Sequence, residues 1–162
     1  MFRVSPSPLS SRRSLNDVAP KQALMTIWIM WGALLMGQLV FLGFVAFQVS
    51  QAGAVPHPEP ILFTVDMIMF VTIVPVTFLV RRVVQGRARR VDGTIPAAAY
   101  TTGNIIFWAG CEGVSFFGMI VAMLNGSLWP TIVIVAAAMG LQVISFPRSA
   151  ALQAPNDTFK IE

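Results

Sequence analysis

The chain has 162 residues, of which 56% are hydrophobic and 11% charged, against about 25% charged in an average globular domain. So much apolar side chain cannot be hidden inside one soluble core of this length, and intrinsic disorder of the bulk needs the opposite composition. A single cysteine, Cys111, excludes an internal disulfide framework. The composition predicts an integral membrane protein.

Residues 1–22 are rich in Ser, Pro and Arg and lack apolar periodicity, so a disordered tail is expected there. Residues 23–147 form the membrane domain, and residues 148–162 a second tail. Within the domain four apolar stretches approach the roughly 20 residues that a helix needs to cross about 30 Å of hydrocarbon. They run from about Met25 to Gln48, Ile61 to Val80, Ala97 to Leu124 and Leu128 to Phe146. The expected fold is an all-α four-helix membrane bundle. Ser11-Arg12-Arg13 followed by an apolar run resembles a twin-arginine export signal. That run is too long for a signal core of about 7–15 residues, so a retained first helix is expected.

The first connection contains Pro56-His57-Pro58-Glu59-Pro60, which predicts an extended, polyproline-like loop. Pro75 inside helix two should free the carbonyl of Val71 and kink the helix near Thr72. Tyr100 is expected at the membrane interface. Asn125-Gly126-Ser127 predicts a tight turn, and Pro130 fits the first turn of helix four.

Charge sets the orientation. All 11 Lys and Arg fall in the N-terminal tail, the Arg81–Thr94 loop or the C-terminal tail. The other two connections hold none, so the positive-inside rule predicts cytoplasmic termini in a bacterial inner membrane.

Acids inside helices narrow the functional candidates, because a carboxylate at the bilayer centre costs on the order of 2.5–3.5 kcal/mol. Asp66 lies about 7 Å below the outer end of helix two, where interfacial water is within reach. Glu112 lies about 18 Å deep, near the midplane. Gln38, Thr72 and Gln142 fall within about a turn of that level. The expected arrangement is a central polar layer with Glu112 as its only acid, resting neutral. Its bland role is an interhelical hydrogen bond, with Gln38 as a partner; its functional role is proton or cation binding. Cys111, Ser115, Gly118 and Ala122 form one stripe on helix three. Ala33-x-x-x-Gly37 and Ala136-x-x-x-Gly140 offer further close-packing surfaces. No nucleotide loop, nucleophile–base set or metal-ligand spacing occurs, so neither an enzyme nor a cofactor or metal site is expected, and no nucleic-acid partner.

The run Glu112-Gly113-Val114-Ser115-Phe116-Phe117-Gly118, with Thr101 and Thr102 upstream, resembles the carboxylate helix of rotary ATPase proteolipids (subunit c). That resemblance implies a proton- or sodium-binding Glu112, with Gln38, Thr72, Ser115 and Gln142 as neighbours, and assembly with other copies or membrane subunits. The glycine-free helix two, and an acid on the third helix, depart from the proteolipid pattern. Ala33-Leu34-Leu35-Met36-Gly37-Gln38, Leu124-Asn125-Gly126 and Phe146-Pro147-Arg148 are similar to a group of small bacterial four-helix membrane proteins of unassigned function. That resemblance implies the fold and a non-enzymatic membrane role, with no specific activity.

Overall fold

The computed structural model describes residues 8–52, 59–91 and 93–148. Most of the proline-rich loop and the ends of both tails lie outside them. Four α-helices follow one another without a strand among the described residues: α1 (Pro8–Ala52), α2 (Pro60–Ala88), α3 (Ala97–Leu124) and α4 (Thr131–Ile144). Apolar segments long enough to cross a membrane are Leu24–Gln51, Pro60–Ala88 and Ala97–Leu124. The chain is an all-α membrane helical bundle.

α3 is the hub. Half of its most apolar window is buried, against 11% in α1 and in α2. It packs on all three other helices, whereas α2 and α4 meet each other only briefly. Outward faces carry Val40, Phe47, Ile61 and Leu79, each more than 60% exposed. Such a continuous apolar exterior suits lipid, not water. The core is built from α3 outward: Phe107, Trp108, Cys111 and Val114 pack with Ile27, Val74, Ile134 and Ala138. The expected stripe of Cys111, Ser115, Gly118 and Ala122 is buried throughout.

Several boundaries differ from expectation. α3 begins and ends where the apolar pattern does. α1 begins at Pro8, so residues 8–22 are helical rather than a disordered tail. α2 continues to Ala88, taking Arg81, Arg82 and Arg87 out of the expected loop and onto the helix. Both extensions have one cause: adding a residue to an existing helix is far easier than starting one, and Arg, Gln and Ala are good helix formers. α2 also runs on through Pro75 without interruption.

α4 is shorter than expected. Its 14 residues span about 21 Å, less than the hydrocarbon core. Pro130 is the N-cap and not part of the first turn, and the Trp129–Pro130 peptide is cis. The flanks 128–130 and 145–148 are non-helical.

The α3–α4 turn is as tight as expected. Ser127 N–H donates to the Ala122 carbonyl (3.1 Å) and Gly126 N–H to that of Met123 (3.3 Å). These are the two bonds of a Schellman cap, which needs a left-handed residue between them. Gly126 supplies it at φ 57°. Asn125 Oδ1 then accepts from Glu59 N–H at 3.1 Å, tying this turn to the start of α2.

α2 and α3 touch most closely at Gly110. A Cβ there would lie 2.7 Å from both Cγ2 and Oγ1 of Thr77, whereas one on Gly113 would meet nothing within 4 Å. Gly110→Ala should therefore destabilise the bundle by about 1–3 kcal/mol through overpacking. Gly113→Ala should be neutral or gain up to about 1 kcal/mol from helix propensity. Unfolding in mixed micelles, followed by helical circular dichroism, measures both; equal stabilities would remove the close crossing.

Candidate functional site

The expected polar layer divides in two. Gln38 on α1 and Gln142 on α4 are fully buried and meet directly, Gln38 Nε2 donating to Gln142 Oε1 at 2.6 Å. Glu112 is not part of this pair. It is half-buried on the flank of α3 and has no hydrogen-bond partner among the described residues. Thr72 points outward, its hydroxyl donating back to the Ile68 carbonyl at 2.7 Å. Ser115 is fully buried, and its Oγ has no partner. Helix phase explains the separation: equal depth does not give residues on different helices a common direction.

The amide pair belongs to a larger polar knot. The short α4 leaves its last carbonyls without intrahelical donors. Trp31 Nε1 donates to the Gln142 carbonyl at 3.0 Å, and Ser145 Oγ donates to the same oxygen at 2.9 Å. Trp108 Nε1 donates to Ser145 Oγ at 2.9 Å. One turn further, Trp28 Nε1 donates to the Pro147 carbonyl at 3.2 Å. Tyr100 accepts from Arg148 N–H at 2.9 Å and donates to the Arg148 carbonyl at 3.1 Å. Tyr100 is thus buried against the chain that follows α4. Phe146 sits between the indoles, edge-on to Trp31 at 4.9 Å. No motif in the sequence announces this knot; the available signal was three Trp and one Tyr on helices one and three.

Asp66, at its shallower level, has the enclosure expected for Glu112. It is fully buried, and neither carboxylate oxygen has a partner among the described residues. Its depth along α2 is as expected, but it turns toward α3 and not toward interfacial water. Gly118 makes the room: a Cβ there would stand 3.0 Å from Asp66 Oδ2 and 2.9 Å from Val135 Cγ2. Sequence depth alone assigned Asp66 to the surface, because it carries no information about which helix covers which face.

No cluster of three or more metal-ligating side chains exists among the described residues. The arrangement offers a structural amide pair, one buried carboxyl and one carboxyl on the flank.

The amide pair can be weighed by a double-mutant cycle. Gln38→Leu and Gln142→Leu should each destabilise, because each leaves a buried amide unpaired. The double variant should recover part of the loss, with a coupling of about 0.6–2 kcal/mol. Additive losses in micelle unfolding would show that the pair contributes nothing. No family model matches this chain, and no curated protein or solved structure shows significant similarity to it.

Proposed function

We propose that the chain is a non-enzymatic, multi-pass subunit or packing partner in a bacterial inner membrane, with both termini cytoplasmic. The orientation is supported by charge placement: Arg81, Arg89 and Arg148 converge at one end of the bundle, while the Glu59–Asn125 contact closes the other. Positive residues favour the cytoplasmic side.

The subunit role is carried by the outward face of α1. Ala33, Gly37, Val40 and Phe44 line an apolar hollow beside Phe116 of α3. A Cβ on Gly37 would meet nothing within 4 Å, so this small-residue face has no close partner among the described residues. Small residues at four-residue spacing let a second backbone approach. Glu112 stands one turn before Phe116 on α3, where a neighbouring chain could supply the hydrogen bond it lacks.

A second reading rests on Glu112 itself: a proteolipid-like carboxylate that binds a proton or cation. It is supported by the absence of a hydrogen-bond partner among the described residues and by the half-exposed position, which leaves the group approachable from the bilayer.

Two experiments separate these readings. A photoreactive amino acid at position 37, irradiated in native membranes, should yield a protein–protein adduct, and Gly37→Leu should abolish assembly without unfolding the bundle. Adducts to lipid alone would sink the subunit reading. A hydrophobic carbodiimide should modify Glu112, with the rate falling as pH rises, if that carboxyl exchanges protons. A pH-independent rate, or none, would sink the second reading.

A further inference from the structure

A cleft of about 730 Å³ opens between α2 and α4, floored by α3. That volume is in the range of small-molecule sites, about 300–1,000 Å³. Its walls share a gradient. On α2 the lining residues recur at helical spacing: Val74, Phe78, Arg81, Gln85 and then Arg89 just past the helix end. This wall changes from apolar to basic over about 22 Å. The opposite wall changes in the same direction, from Leu141 and Ile144 to Arg148. No acid lines the cleft.

The basic end is built, not incidental. Arg81 is half-buried, with its guanidinium 5.4 Å from the centre of the Phe107 ring. Phe107 in turn meets Phe78 edge-on at 5.9 Å. No carboxylate pairs with Arg81, Arg89 or Arg148 among the described residues. Three guanidiniums with no carboxylate partner among the described residues, at one end of an apolar trough, suit an anion there and an apolar chain below. Guanidinium forks match phosphate oxygens, and basic pockets between membrane helices suit phosphorylated headgroups.

We propose that this cleft holds one anionic phospholipid of the surrounding bilayer. Its phosphate lies on Arg81, Arg89 and Arg148, and an acyl chain runs along Phe78, Phe107 and Leu141. The short α4 makes the site: its irregular end at Ser145–Arg148 turns Arg148 back toward α2.

Native mass spectrometry of the full chain, released from nanodiscs of phosphatidylglycerol and phosphatidylcholine, tests this. The wild type should retain one phosphatidylglycerol and not phosphatidylcholine. R81A/R89A/R148A should lose it, with affinity falling on the order of 100-fold if each arginine contributes as a surface cation does. R89A/R148A changes only exposed side chains, and its fold is checked by circular dichroism; it should show a smaller loss in the same direction. R87A/R90A removes two exposed arginines outside the cleft and should retain the lipid. Retention by the triple and double variants would overturn the proposal. Equal loss in R87A/R90A would overturn it in favour of general surface charge. Displacement by inorganic phosphate at the lipid's own concentration would overturn it in favour of a free-phosphate site.

Discussion

The structure depends on how the backbone at the end of α4 is satisfied. In hydrocarbon an unpaired carbonyl costs several kcal/mol, so irregular chain persists only where protein covers it. α4 stops after 14 residues, leaving carbonyls that a longer helix would have paired. Trp31, Ser145, Trp28 and Tyr100 supply the donors. These side chains come from α1, α3 and the C-cap of α4. The same contacts therefore satisfy the backbone and dock α1 and α3 against α4. Gln38 and Gln142 continue the polar column by one buried bond. With α1 and α4 in little backbone contact, these long side chains are the bridge between them.

That bridge has consequences on both sides of the bundle. Once α4 is pinned to α1 and α3, its C-terminal chain is carried back toward α2, and the basic cleft results. α2 then packs on α3 through Gly110 and Gly118, the latter opposite Asp66. The face of α1 away from the knot retains Ala33 and Gly37 uncovered. A single phase choice of α1, with Gln38 and Trp31 inward, thus decides that the small-residue face looks outward.

The two membrane acids illustrate the limit of depth as a guide. Rise per residue places both correctly along their helices. It says nothing about azimuth. α3 presents Cys111, Ser115 and Gly118 inward, which leaves Glu112 on the flank. α2 presents Asp66 and Val74 inward, so the shallower acid is the enclosed one. Thr72, in the same helix, falls on the opposite face and satisfies itself on its own backbone. Of the proposed neighbours of Glu112, only Gln38 and Gln142 are joined, and they are joined to each other.

The sequence by itself determined the class, the helix count, the full extent of α3 and the tight turn at Gly126. Those follow from apolar length, charge distribution and turn chemistry, all of which are local. It also marked Cys111, Ser115, Gly118 and Ala122 as a packing stripe, because small side chains at helical spacing are useful only where another backbone comes close. Tertiary structure alone decided the inward turn of Tyr100, the burial of Asp66 and the half-exposed setting of Glu112. Each depends on the rotation of one helix against another. In an apolar environment almost every face of these helices is hydrophobic, so the usual amphipathic signal that fixes rotation is absent. A few polar side chains and close glycines set the rotation instead, and the partners of Trp31 and Gln38 lie more than a hundred residues away in the chain.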